Sequence, residues 1–555
     1  MNTHKRKLAA SFGAALLLLG QGFAVQAAPQ SVELTLLGTT DVHGHVYPTT
    51  YYSDKDEALG LAKVYTLIKQ YRARNPHTLL VDSGDMLQGS PLPYVQAKVQ
   101  NDRGPNPMIQ AMNAMKYDVF GVGNHEFNFG VPHLKQAEKE AQFPFISCNI
   151  YHAGTEKTLF TPYVIKEVAG VKVGVIGFTP PGIVLWDKDN IKGTLEARDL
   201  VASAKRWVPE IKAKGADLIL AIPHAGLGGT YVPPYTGYSP SSGLPPENVA
   251  MDLAREVPGI DVIFAGHSHQ DVPSETVNGV AIAQASLWGR RLVVGDVKLV
   301  KEDGHWKVVS KRTNTLGVDG VTPDPDVMTA TKVAHDATVK YVHSPIAKTD
   351  AEWSAKESVV KDTPILDLIN EVQRKATGAQ LASAASFNLE AVLAKGDITI
   401  ADIAGLYPYE NNMVAIKLNG KTLKKYLEFA ARYYEAFDGG PVKINPEVRT
   451  YNYDMVSGVD YKIDLSKPIG SRIVGLSHQG KPVTDEQEFT MALNSYRHSG
   501  GGGYEMLKDC PVVYDRQESI RELIIDYLKA KKTIQPKDVF KPNWELLPAS
   551  AAKLP

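Results

Sequence analysis

Five short segments carry side chains of the kind that hold metal ions: Asp41-Val42-His43, Asp82-Ser83-Gly84-Asp85, Gly123-Asn124-His125-Glu126, Pro223-His224-Ala225 and Gly266-His267-Ser268-His269. They contain five of the chain's 15 histidines, beside aspartates and an amide, and each follows an apolar, β-rich run. A lone strand-end histidine is usually a hydrogen-bonded structural side chain. In open α/β sheets, however, ligands collect at the carboxyl ends of strands, so five such ends predict one shared site. Imidazole nitrogens with carboxylate and amide oxygens, and no thiolate, suit Mn²⁺, Zn²⁺, Co²⁺ or Fe rather than a soft-metal or calcium cage. So many candidates exceed what one tetrahedral ion takes, and a carboxylate can bridge, so two divalent ions about 3.5–4 Å apart fit better. Two such ions outweigh two aspartates and a hydroxide by about one positive charge, which favours an anionic substrate such as a phosphate ester.

The elements that must position these residues follow from alternation. From Val32 onward, short β-rich runs at 34–37, 78–81, 171–176, 218–222 and 262–265 alternate with turns and with helix-period stretches such as 60–74 and 200–214, the pattern of an α/β domain. After about Leu316 the character changes. Residues 324–341 read as one helix, free of glycine after Pro325, with Pro345 just beyond. A second α/β unit has its own signals, a strand at 413–418 and a helix at 422–434 among them. The expected organisation is a catalytic domain at 28–325, a helical linker and hinge at 326–355, a substrate-binding domain at 356–547 and a frayed tail at 548–555.

Composition agrees. The 555 residues, 43% hydrophobic and 22% charged, leave room for two to four domains at about 100–200 residues each. Sixty basic side chains against 61 acidic ones give a net charge of -1, so no overall field draws the chain to a nucleic-acid polymer. Only Cys148 and Cys510 are present, which excludes a disulfide framework and a cysteine-held cluster; both are expected as free thiols. Lys5, Arg6 and Lys7 precede an apolar stretch at 8–19, and Val25-Gln26-Ala27 supplies small residues for cleavage, so residues 1–27 read as a signal peptide. The stretch is shorter than the ~20 residues a span needs, so no stable membrane insertion after cleavage and an exported, periplasmic or extracellular, location are expected.

In order and separation, Asp-x-His, Gly-Asp, Gly-Asn-His-Glu, His and Gly-His-x-His resemble the metallophosphoesterases. The segment Gly123-Asn124-His125-Glu126-Phe127, the run Gly458-Val459-Asp460-Tyr461-Lys462-Ile463-Asp464, and Asn494-Ser495-Tyr496-Arg497 with the glycines at 500–503 resemble the secreted 5'-nucleotidase superfamily. Within it, the bacterial 2',3'-cyclic-nucleotide 2'-phosphodiesterase/3'-nucleotidases are the most similar branch. The resemblance implies a four-layer α/β metallophosphoesterase sandwich joined by a helical linker to a C-terminal α/β nucleotide-binding domain. It further implies that Asp41, His43, Asp85 and His269 hold one ion and Asp85, Asn124, His224 and His267 the other, with Asp85 bridging. Asp82 is expected as a solvated or turn-capping carboxylate and Glu126 as structural.

By the same resemblance His125 is the catalytic histidine at the leaving oxygen, where a proton donor would help a poor ribose alkoxide depart. Three residues later the 5'-nucleotidases usually have Asp; here stands Asn128, which can fix the imidazole's tautomer but supplies no charge. Tyr409 and Tyr496 match the base-stacking aromatics, and Asn411 a polar substrate contact. The 5'-nucleotidase Asn-Gly-Gly loop is replaced by Ser386-Phe387-Asn388-Leu389-Glu390, and Gly502 stands where those enzymes often have Asp. Gly500–Gly503 lacks a following P-loop lysine and is expected as a tight turn. These departures favour cyclic and 3'-nucleotides as small-molecule substrates. A 5'-nucleotidase or nucleotide-sugar hydrolase, and a non-catalytic nucleotide-binding protein, are the alternatives. Base preference and oligomeric state are not set by these residues.

Overall fold

Alternate residues of each central strand enter different layers, and this builds the N-terminal domain. In the strand Leu218–Pro223, Leu218, Leu220 and Ile222 pack in one core and Ile219 and Ala221 in another. Thr78–Asp82 does the same, with Leu79 and Val81 opposed to Leu80. The computed structural model describes residues 30–52, 55–228, 244–409, 411–440 and 442–553. The expected signal peptide therefore lies outside the described residues.

One six-stranded sheet runs His305–Gly317, Arg291–Glu302, Ser31–Thr39, Thr78–Asp82, Val119–Gly121, Phe145–Ile146; the other runs Asp271–Val277, Val280–Ala285, Val262–Ala265, Leu218–Pro223, Val171–Phe178, Tyr163–Val168. Leu36, Val81, Val175, Leu220 and Phe264 fill the space between them. The helices Leu61–Arg74 and Pro107–Met115 cover the outer face of the first sheet, and Leu200–Ala213 and Ala250–Glu256 that of the second. The result is the expected four layers. Ser31–Thr39, Thr78–Asp82 and Val119–Gly121 are mutually parallel, as are Val171–Phe178, Leu218–Pro223 and Val262–Ala265, so each set delivers its carboxyl ends to one edge. The two edges are tied together: the Ser83 hydroxyl donates to Phe264 O (2.8 Å), and His224 Nδ1 meets Ser83 O (2.9 Å).

The connector differs from expectation. It is two helices, Pro325–Ala330 and Lys332–Val342, broken at Thr331, whose hydroxyl donates to Val327 O at 3.0 Å and so competes for a helical carbonyl. Its start is tied to the first domain through Lys69, 2.7 Å from Asp324 and 2.6 Å from Asp326, and its second helix through His335, stacked on Tyr47 at 3.7 Å. Beyond it, Pro345–Thr349 pairs with Gly396–Thr399 and Trp353–Ser354 with Val392–Leu393, so residues 345–354 are stitched to the second domain rather than free.

That domain has a five-stranded sheet in the order Asp454–Ser457, Leu381–Ala385, Glu488–Asn494, Asn412–Asn419, Val512–Ser519. The helix expected at 422–434 is Gly420–Ala430, capped by Asn419, and then tightens into the 3-10 turn Ala431–Tyr433. The tail is not frayed as far as it is described. Trp544–Leu547 pairs with Asp460–Asp464 and carries the turn Ala549–Ala551 inward, where Ala551 is fully buried. Cys148 and Cys510 are free thiols, the first buried. Among the described residues no helix is long and apolar enough to cross a membrane.

Candidate metal centre

The loops that leave the strand ends turn through an uncommon backbone. Asp41, His43, Asp85, His267 and His269 all have positive φ, between 48° and 69°. Non-glycine residues enter this region at a cost of about 1–3 kcal/mol each and persist where their surroundings over-determine them. Here the loops hold one another: Asp41 N donates to Gly84 O (2.9 Å), His43 N to Asp85 O (2.8 Å) and Trp288 N to Asp41 O (2.7 Å). Gly84 has φ 107°, and a Cβ on it would stand 2.5 Å from Gly123 N, so only glycine fits between the second and third loops.

Glu126 organises the same junction. Its buried carboxylate accepts four backbone N–H groups, from Asp85, Met86, Leu87 and Gly123, at 2.7–3.0 Å. Burial and the nearby Asp85 push its pKa up, and the Leu87 and Asp85 N–H bonds oppose them. Asp82 is fully buried, not solvated; it caps its turn by accepting Gly84 N (2.7 Å) and also accepts the Thr39 hydroxyl at 2.5 Å.

Six of the seven expected ligands, all but Asn124, fall into overlapping groups. Ligand-type atoms of Asp41, His43 and His269 lie within 4.8 Å of one another, as do those of Asp85, His224 and His267, and those of His43, Asp85 and His125. His43 Nε2 lies 3.0 Å from His269 Nε2, and His224 Nε2 lies 2.9 Å from Asp85 Oδ2 and 3.8 Å from Asp41 Oδ1. Two ligands each about 2.1 Å from one ion stand about 3 Å apart, so the His43–His269 spacing fits a shared cation. Asn124 Oδ1 is buried without a hydrogen-bond partner among the described residues, at a position expected to ligate. The donor set therefore fits a pair of divalent ions. Burial drives the His43 pKa well below its ordinary value, which keeps an imidazole lone pair for a cation. For Asp85, burial would raise the pKa, but the His224 and His125 imidazoles outweigh it and hold the carboxyl well below the usual range. Burial opposes the charged form of His224 too, and Asp85 with Asp41 overcomes it, raising that pKa to about 10 when no cation competes for Nε2.

His125 stands at the rim of this cluster, its Nε2 3.9 Å from Asp85 Oδ2 and its backbone N–H donating to Asp85 Oδ1 at 2.8 Å. Asn128 Oδ1 lies 2.6 Å from His125 Nδ1. A carboxylate is nevertheless present one step further out, contrary to expectation: Asn128 Nδ2 donates to Asp187 Oδ1 at 2.9 Å. Glu247 was also missed; it is buried, its Oε1 has no hydrogen-bond partner among the described residues, and it lies 3.6 Å from His267 Nε2. Neither acid carries a sequence signal, because each reaches the site only through tertiary packing.

The second domain assembles an aromatic surface. Its antiparallel register pairs Met413 with Asn494, which puts Asn411 and Asn412 beside Ser495 and Tyr496 at one end of the sheet; Asn412 N donates to Ser495 Oγ (3.1 Å) there. Tyr409 is 42% exposed, its ring edge-on to Phe387 and Tyr451 at 5.3 and 5.9 Å. Tyr496 donates its hydroxyl to Asn452 Oδ1 (3.3 Å). Asn411 O accepts the N–H of Ile520, the first residue of the helix Ile520–Lys531. Tyr451 and Phe387 thus extend the expected pair. Beneath them Arg497, fully buried, forms a two-pronged ion pair with Asp454 at 2.6 and 2.8 Å and also donates to Tyr451 O and Gly501 O. The glycines form the expected tight turn, with φ 87°, 73° and 88° at Gly500, Gly502 and Gly503.

Comparison with known proteins accords with this arrangement. Residues 34–271 match the calcineurin-like phosphoesterase family and residues 345–509 the 5'-nucleotidase C-terminal domain. The chain is 33% identical to a 2',3'-cyclic-nucleotide 2'-phosphodiesterase/3'-nucleotidase of Haemophilus influenzae, over 96% of this chain and 90% of that one. It is 36% identical to the trifunctional nucleotide phosphoesterase protein YfkN of Bacillus subtilis over 95% of this chain, but spans only 40% of that protein's length. Among solved structures, the calcineurin-like phosphoesterase YfkN of Bacillus subtilis is 38% identical with a TM-score of 0.52, covering 57% of this chain and 100% of that one. A 5'-nucleotidase precursor from Thermus thermophilus is 25% identical with a TM-score of 0.57, covering 93% and 100%.

Proposed function

We propose that this chain, which belongs to the 5'-nucleotidase family of metallophosphoesterases, is an exported enzyme that opens 2',3'-cyclic nucleotides to 3'-nucleotides and then removes the 3'-phosphate. The observation that carries the reading is the placement of His125 at the shared edge of the ligand cluster, with Nδ1 bonded to Asn128 and Nε2 3.9 Å from Asp85. Asp41, His43, Asp85 and His269 would hold one divalent ion, and Asp85, Asn124, His224 and His267 the other. When bound, the ions supply Lewis acidity, drawing charge from phosphoryl oxygens and lowering the pKa of water.

The chain's own residues do the rest. His125 holds a proton at Nε2 for the departing ribose oxygen, the 2'-oxygen in the first step and the 3'-oxygen in the second. In each step water adds to phosphorus, the P–O bond to that oxygen breaks, and the oxygen leaves protonated. Tyr409 and Tyr496 hold the base by stacking, which tolerates any base because all have a π-face.

Preference for cyclic and 3'-esters is supported by Asn128 and by Gly502. The latter has φ 73°, and a Cβ there would stand 2.4 Å from Asn452 Oδ1, so an acidic side chain does not fit this turn. The test is product analysis with 2',3'-cyclic AMP, 3'-AMP and 5'-AMP at several Mn²⁺, Co²⁺ and Zn²⁺ concentrations. The expected result is sequential appearance of 3'-AMP and adenosine with 5'-AMP a poor substrate. A preference for 5'-AMP would overturn the assignment, and binding without turnover at every metal concentration would make the chain a nucleotide-binding protein.

A further inference from the structure

We propose that Asp187 is the positioning carboxylate of His125, acting through the side-chain amide of Asn128. It lies at the junction of two short helices, Ile183–Trp186 and Lys188–Ile191, 59 residues beyond Asn128, and is 2% exposed. Its Oδ1 accepts two N–H groups, from Asn128 Nδ2 at 2.9 Å and Asn190 Nδ2 at 3.0 Å. Asn190 Nδ2 also reaches the backbone carbonyl of Asn128 at 3.1 Å, so one residue seats both the acid and the amide. The same segment touches the metal cluster, where the Trp186 ring lies over His267 at 6.0 Å and 25°.

The logic is one of donors and acceptors. Asp187 Oδ1 already takes the N–H of Asn190, whose nitrogen is fixed by its second bond to the Asn128 backbone carbonyl, so this oxygen presents only acceptor character to Asn128, whichever protonation state the other oxygen has. The Asn128 amide must therefore turn its nitrogen to Asp187 and its oxygen to His125. That oxygen, 2.6 Å from Nδ1, requires Nδ1 to carry the hydrogen. The remaining ring nitrogen, Nε2, is left facing the cluster as the atom that exchanges a proton with the leaving oxygen. Without Asp187 the amide can invert and present its N–H₂, which leaves Nδ1 an acceptor and the hydrogen on Nε2; giving up that proton would leave an anionic ring, so the imidazolium that serves as the acid no longer forms readily. The carboxylate that 5'-nucleotidases usually place beside the histidine is thus replaced by a carboxylate acting at one remove, which transmits orientation through a neutral amide.

The inference rests on the catalytic reading of His125 but has its own readout. In protein labelled with ¹⁵N-histidine, with the His125 signals identified by their loss in His125→Gln, the parent should show hydrogen on Nδ1. Asp187→Ala should shift the ring toward hydrogen on Nε2. In the metal-loaded enzyme the same variant should lose about 10–100-fold in kcat on 3'-AMP with KM and metal content unchanged, the scale for losing an outer orienting partner. It should lose little on bis(p-nitrophenyl) phosphate, whose phenolate leaves without a proton. The reciprocal swap Asn128→Asp with Asp187→Asn rebuilds an acceptor for Nδ1 and a donor behind it, and should recover the tautomer and most of kcat. An unchanged tautomer in a folded Asp187→Ala protein, or a well-folded swap variant that recovers neither readout, overturns the proposal. If no phosphate ester is turned over, the tautomer measurement still decides the role of Asp187 while the functional reading falls separately.

Discussion

The two halves of the site are built on opposite plans. At the sandwich edge the ligands are largely buried, five sit on left-handed backbone, and the loops between them are cross-tied by Glu126, Gly84 and main-chain bonds. On the second domain Tyr409 is 42% exposed and meets Phe387 and Tyr451 by ring edges, and the Arg497 of the buried Arg497–Asp454 pair holds the Tyr451 carbonyl. Under the proposed function, strained backbone goes to the residues that would hold the phosphoryl group, and an adaptable aromatic surface to those that would hold the base. Precision and tolerance are thus assigned to separate domains.

The sharpest way to break this contrast is at Asp85, the bridging ligand of the proposed function. Asp85→Ala should abolish hydrolysis of every phosphate ester and reduce metal content, since this carboxylate contacts His224 and borders both ligand groups. Elemental analysis beside the assay checks it; two ions per chain in the variant would remove Asp85 from its bridging role. A smaller effect is expected on the tolerant side. Tyr409→Ala and Tyr496→Ala should each weaken kcat/KM for nucleotides by about 1–3 kcal/mol while sparing bis(p-nitrophenyl) phosphate. Equal losses on both substrates would show that the platform supports folding rather than base binding.

The smallest expected effect concerns stability alone. Burial, with Asp362 adding to it, pushes the Asp367 pKa up to about 7, against about 3.9 for an unfolded aspartate. The folded state therefore binds the proton more tightly, and this group's contribution is greatest below the unfolded pKa and is lost as pH rises to about 7. Asp367→Asn keeps an acceptor for Lys541 N and should flatten that part of the stability curve, so urea melts from pH 4 to pH 8 should converge at the acid end and favour the variant at the neutral end. Parallel curves would show that Asp367 does not titrate in this window.

The strand ends were readable because two signals coincide there: a short continuous apolar run, as in Leu218–Pro223, and a polar turn whose residue types suit one chemistry. The convergence of five such ends follows from the parallel arrangement alone. What escaped was held by long-range packing. Asp187 lies 59 residues from its partner along the chain, Glu247 meets His267 from another loop, and Tyr451 joins the aromatic surface because Arg497 holds its carbonyl. The break at Thr331 escaped for a local reason, since a hydroxyl bonding back to Val327 leaves no mark in hydrophobic spacing. Left-handed φ at aspartate and histidine is equally silent, because neither residue type demands it.

Glu126, which accepts backbone N–H groups, bears on what becomes of the site when its ions are removed. Its four N–H bonds knit the loop after Thr78–Asp82 to the loop after Val119–Gly121 with backbone groups only, and none of those bonds involves an atom that a cation would use. The cradle is consequently assembled by the fold itself. Stripping the ions should leave an idle but correctly shaped protein, and resupply should restore it by simple refilling, without a refolding phase.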